Sequence, residues 1–153
     1  MYEHIKFKNA INMRKANYDK FPSTKLTGML VQGWDIIISM LKEKMDARKV
    51  LAVDLYTGVY EEEVLDAFSK EFSGRVMNVR DLMKPEKEIQ ALTERFMTED
   101  VLFGYVTNLK LEDYLDADKV AAARKQISEA KETIVIIGTG AAVVAPQDAM
   151  VVY

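Results

Sequence analysis

Two short segments of the chain hold the residues from which phosphate or proton chemistry could be built, Asp54-Leu55-Tyr56-Thr57-Gly58 and Gly138-Thr139-Gly140. Each follows a wholly apolar run, residues 50–53 and 134–137, of the kind that forms a strand buried on both faces. Open α/β sheets seat ligands at the carboxyl ends of such strands. Asp54, Thr57, Gly58, Gly138, Thr139 and Gly140 are therefore the candidate phosphate- or nucleotide-binding residues. A complete phosphate loop needs curled backbone amides, a lysine against the anion and a hydroxyl for magnesium, hence the form GxxxxGK[ST]. Of these side chains the first segment supplies Thr57 alone. Glu61, Glu62 and Glu63 follow it in what reads as the first turn of a helix, where carboxylates satisfy the helix dipole and repel phosphate. Gly28 and Gly33 have loop-like spacing, but Trp34-Asp35 stands where lysine and a hydroxyl belong, and Met29-Leu30-Val31 reads as strand or core. Gly138-Thr139-Gly140-Ala141 is part of a dinucleotide fingerprint, yet residues 143–146 make a poor helix start, so a tight turn is the favoured reading.

The single histidine is His4, near the amino terminus, and there is no cysteine. A Ser-His-Asp arrangement, a thiol nucleophile and a histidine or thiolate metal cluster are not expected at the strand ends. No catalytic and no metal-ligating residue is assigned. Asp54 and Asp100 flank apolar runs at opposite predicted ends and read as turn or capping residues rather than as a pair. Trp34, Tyr56, Tyr60 and Tyr105 read as core or rim, with a pocket lining as the alternative.

The elements that must position these residues alternate. Trp34, Ile37, Ile38, Leu41 and Met45 follow helical spacing, as do Val64, Leu65, Phe68 and Phe72 up to the Ser73-Gly74 stop. Pro85 opens a third helix carrying Ile89, Leu92 and Phe96, and Asp116 or Asp118 caps a fourth with Val120, Ala123, Ile127 and Ala130 inside. Strands are expected at residues 50–53, 75–79, 101–106, 134–137 and 149–153. This order predicts an α/β fold of three layers, a mostly parallel, doubly wound sheet with right-handed crossovers. Residues 1–25 read as an arm and residues 26–153 as one domain. The last strand runs into the chain end with no polar tail, which raises the expectation of a longer parent protein cut short at its carboxyl side.

The net charge of −3 hides an asymmetry, because residues 1–50 carry ten basic and five acidic side chains and the remainder eleven and nineteen. The basic residues, among them Lys6, Lys8, Arg14, Lys15, Lys20 and Lys25, are dispersed, so a solvated surface is favoured over nucleic-acid binding. No apolar stretch approaches the roughly 20 residues of a membrane helix. No export signal is visible, and a cysteine-free chain suits the reducing cytoplasm, which is the expected location.

Three segments carry a family resemblance: Val50-Leu51-Ala52-Val53-Asp54-Leu55-Tyr56-Thr57-Gly58-Val59, Asp100-Val101-Leu102-Phe103-Gly104 and Ile137-Gly138-Thr139-Gly140-Ala141-Ala142. They resemble the amino-terminal region of large bacterial class I mannose-6-phosphate isomerase-like (phosphomannose isomerase) proteins. That region is itself similar to degenerate uridine-kinase-type P-loop domains with an incomplete Walker A motif. The resemblance implies carbohydrate metabolism, with mannose 6-phosphate and fructose 6-phosphate interconverted in a carboxyl-terminal cupin domain that has no counterpart in this chain. It implies zinc in that cupin domain and no cofactor here. The chain would then be a non-catalytic, kinase-like accessory or regulatory domain. Its partners would be the cupin domain, a phosphorylated small molecule or a second copy in a homo-oligomer, with no nucleic acid and no membrane. Two alternatives stand beside it. One is a nucleoside or sugar kinase in which Thr57 and Gly58 approach the phosphates and Asp54 or Asp100 assists magnesium; the other is a purely structural or oligomerising module.

Overall fold

The two apolar runs form the centre of the sheet because every residue in them can be buried, whichever way its side chain points. In the computed structural model, which describes residues 20–25 and 27–153, strand β1 (Val50–Asp54) pairs in parallel with β3 (Ile134–Gly138), in register from Val50 opposite Ile134 to Asp54 opposite Gly138. Strand β2 (Arg75–Asn78) lies on the far side of β3 and β4 (Met150–Val152) on the far side of β1, giving four parallel strands in the order β2-β3-β1-β4. Successive residues of a strand face opposite sides. Leu51, Val53, Val135 and Ile137 therefore pack on one face with helices α1 (Trp34–Met45) and α2 (Glu61–Glu71), through Ile38, Met45, Val64 and Phe68. Val50, Ala52, Ile134 and Ile136 pack on the other with helix α5 (Ala117–Glu129) and the short α6 (Ala141–Val144). Ile136, Ile137, Leu51 and Val135 have no exposed surface, and burial of each aliphatic side chain contributes about 1.5–3 kcal/mol.

The chain crosses from β1 outward to β2 over the α2 face, then back to β3 and on to β4 over the α5 face. Direction and face reverse together, so all three crossovers share one hand, as βαβ units require. The α/β character and the parallel sheet expected from the sequence are therefore present.

Between β2 and β3 the chain makes an excursion. Met83 bridges Leu115 in antiparallel fashion, Asp116 N–H donates to the Leu82 carbonyl at 2.9 Å and Lys84 N–H to that of Tyr114 at 3.0 Å. Beyond this neck lie α3 (Glu86–Thr93), a loop and α4 (Leu111–Tyr114). No residue from 84 to 113 is buried. The strand expected at residues 101–106 is absent, and the segment is a loop. Asp100 Oδ1 accepts from the amides of Leu102 at 2.8 Å and Phe103 at 3.1 Å, and Tyr105 N–H donates to the Phe96 carbonyl at 2.8 Å. A Cβ on Gly104 would stand 2.5 Å from that carbonyl oxygen. These local bonds hold the backbone in a turn that a sheet ladder would have to break. Asp100 is thus a turn residue, as expected.

The chain divides after residue 30. Met29 and Leu30, read from the sequence as strand or core, belong to no strand and are 82% and 91% exposed. Most of the expected arm, His4 included, lies outside the described residues. Among the described residues, no helix is long and apolar enough to cross a membrane.

Candidate functional site

At the carboxyl edge of the sheet β1 ends on Asp54 and its neighbour β3 on Gly138. Gly138 has a φ of 133°, and a Cβ there would lie 2.9 Å from the Cβ of Val79, so only glycine lets the chain turn at this point. Past it, Gly140 adopts a left-handed conformation at φ 88° and α6 begins. Thr139 and Gly140 form the expected tight turn, and four helical residues, Ala141–Val144, follow it where a poor helix start was expected. Two of the amides at this start are taken. Asp54 Oδ1 accepts from Gly140 N–H at 3.0 Å and Oδ2 from Ala142 N–H at 2.9 Å. Asp54 therefore stands where an anion would sit, and ties β1 to the turn after β3.

The other candidates lie apart from this contact. Thr57 and Gly58 are exposed on a turn closed by Val59 N–H on the Tyr56 carbonyl at 3.2 Å, with Gly58 at φ 98°. Neither makes a hydrogen bond to the Gly138-Thr139-Gly140 turn. Asp54, Gly138 and Gly140 are brought together; Thr139 is exposed on the rim. Tyr56, Tyr60 and Tyr105 are 85%, 83% and 70% exposed, and Trp34 donates its indole N–H to Glu63 Oε1 at 3.3 Å.

The concave part of this edge is a cleft of about 260 Å³ between β3 and the neck of the excursion. Thr139 and Gly140 line it from the turn, Glu61 from the start of α2, Val79 and Arg80 from the turn after β2, and Met83, Leu111, Tyr114 and Leu115 from the neck and α4. Arg80 lies 3.4 Å from Glu61 Oε2 and donates to Glu62 Oε1 at 3.0 Å. Glu61 Oε1 is buried and has no hydrogen-bond partner. A larger hollow of about 1160 Å³ lies at the opposite end, against Lys49, Val50, Ala149 and Met150 at the strand starts. Doubly wound sheets do not seat ligands at that end, so the smaller cleft is the candidate. Sequence reasoning missed Arg80 and Tyr114, and read Glu61 only as a partner of the helix dipole. Arg80 had one legible signal, its place directly after the strand expected at residues 75–79.

Among the described residues no group of three or more His, Asp or Glu could hold a metal ion. Fold and site define a parallel α/β domain in which the carboxylate at the end of β1 holds the turn after β3. Residues 33–153 match the model of a family described as a domain of unknown function (DUF8485), and the chain belongs to that family. No curated protein and no solved structure matches it.

Proposed function

We propose that this chain is a non-catalytic, kinase-like accessory domain that does not use its strand-end loops to hold phosphate. The observation that carries the reading is the Asp54 carboxylate on the amides of Gly140 and Ala142. A phosphate there would have to displace a covalently tethered anion. The loop after β1 adds no cation, Glu61, Glu62 and Glu63 stand behind it, and Arg80 is paired with two of them. Phosphoryl transfer depends on cations and metal positioned against the phosphates; the acidic edge repels the phosphates themselves, and its Arg80 guanidinium is engaged by Glu61 and Glu62. The P-loop-kinase likeness and the isomerase-like parent, with its zinc-bearing cupin domain, rest on the resemblance of the three quoted segments.

Calorimetric titration with magnesium ATP and with mannose 6-phosphate, together with an assay for phosphoryl transfer to nucleosides and sugars, tests the proposal. Neither binding heat nor transfer is expected. Magnesium-dependent transfer to a sugar or nucleoside would overturn it. A second reading, an oligomerising module, is favoured by the uncovered excursion, where Val101, Leu102 and Val106 are 100%, 84% and 97% exposed. Sedimentation as a monomer at every concentration would remove it.

A further inference from the structure

At opposite ends of the sheet the domain carries an uncovered excursion and a hollow. The excursion leaves from the carboxyl end of β2 and returns at the neck where α5 begins. Beside Val101, Leu102 and Val106, its side chains Phe103 and Tyr105 are 72% and 70% exposed. Taking about 200 Å² for an aromatic side chain and about 100 Å² for an aliphatic one, the five leave roughly 550 Å² of apolar surface open. That is near the largest patch a typical monomer carries, and about two thirds of the roughly 800 Å² that each partner gives to a standard interface. The Thr98 hydroxyl donates to the Phe103 carbonyl and Asp100 accepts from the Phe103 amide, so a fixed turn displays the run.

The hollow is the one of about 1160 Å³ at the strand starts. Its accessible apolar wall is built mostly of small side chains, Ala130, Ala145, Pro146 and Ala149, with Met150 and Val151 of β4. Walls of that kind leave the space that leucine and phenylalanine side chains fill in a close-packed contact. Arg48, Lys49 and Arg124 stand against Asp46 and Asp148 around it, one positive charge in excess. Arg48 and Lys49 are exposed and make no ion pair among the described residues, and the same holds for Glu99, which with Asp100 directly precedes the exposed run. Shape and charge therefore complement each other. Helix α5 starts at the neck and lines the hollow with its last turn, so about 20 Å of helix separates the two surfaces within one molecule. We infer that the excursion of one copy docks in the hollow of the next, Leu102 and Phe103 entering between the alanines and Glu99 meeting Arg48 and Lys49. Two different surfaces make a head-to-tail contact, which repeats into a ring or a filament instead of closing as a dimer. The inference rests on the oligomerising reading and names its two surfaces.

The test is sedimentation velocity of the full chain from micromolar to near-millimolar concentration, beside two variants substituted at exposed side chains. One is Leu102→Asp on the excursion, the other the double change Arg48→Glu, Lys49→Glu at the hollow. Wild type should grow past the dimer as concentration rises, and each variant should raise the apparent dissociation constant about tenfold or more. Circular dichroism checks that both are folded. A mixture of the two variants should form a one-to-one pair and stop there, since it retains one intact excursion and one intact hollow. A wild-type plateau at the dimer, self-association left unchanged by the hollow substitutions, or no pairing in the mixture would each overturn the inference while leaving the oligomerising reading in place. A wild type that is monomeric at every concentration would overturn both.

Discussion

Replacing Asp54 by alanine isolates the contact on which the site is built. The wild-type carboxylate accepts two amide protons, at 3.0 Å from Gly140 and 2.9 Å from Ala142, from residues more than eighty positions away in the chain. A hydrogen bond to a charged group contributes about 1.5–3 kcal/mol net. Asp54 is half-buried, so the low end of that range applies to each bond, and Asp54→Ala should cost about 3 kcal/mol. For a chain of this size that is a fall of roughly 10 °C in Tm. Asp54→Asn keeps one oxygen acceptor and should lose about half as much. Urea unfolding followed by circular dichroism reads both variants on one scale. If Asp54→Ala unfolds within about 0.5 kcal/mol of wild type, the carboxylate does not anchor the turn, and the proposal that it keeps phosphate away falls with it.

Other consequences follow from single positions. Gly138→Ala combines an unfavourable φ of 133° with a Cβ 2.9 Å from Val79 and should destabilise by about 3 kcal/mol, whereas Gly58→Ala, at φ 98° in open space, should cost about 1 kcal/mol in the same unfolding assay. Asp116 accepts from the amides of Asp118 and Lys119, both at 3.0 Å, at the start of α5, so Asp116→Ala should lower stability by about 1 kcal/mol in urea. Val101 is fully exposed, and Val101→Thr should leave the urea midpoint within about 0.5 kcal/mol of wild type. A loss of well over 1 kcal/mol there would mean that the segment is packed as a strand after all.

Apolar pattern alone marked β1, β2, β3 and β4 to within a residue or two, because a run such as residues 134–137 can only be accommodated between two layers. Helical spacing and end signals located α1, α2 and α5 for the same reason, while of the two caps open at α5, Asp116 and Asp118, the structure selects Asp116. Residues 101–106 misled, since six largely apolar residues satisfy the strand pattern while Asp100 and Gly104 fix a competing turn through bonds to backbone nearby. Their side chains found no layer to pack against, which composition cannot register.

The candidate site divides along the same line. From sequence came the two strand ends, the missing phosphate-loop lysine and the acidic start of α2, all of them local properties of residue type and order. The tertiary structure alone decided that β1 and β3 lie side by side. That adjacency puts Asp54 on the amides after Gly138 and joins two weak loop motifs through one carboxylate. It also decided the cleft, whose lining is drawn from α2, the turn after β2, the neck of the excursion and the turn after β3. No period or spacing encodes such a meeting, because it depends on strand order and on where separate crossovers return to one edge of the sheet.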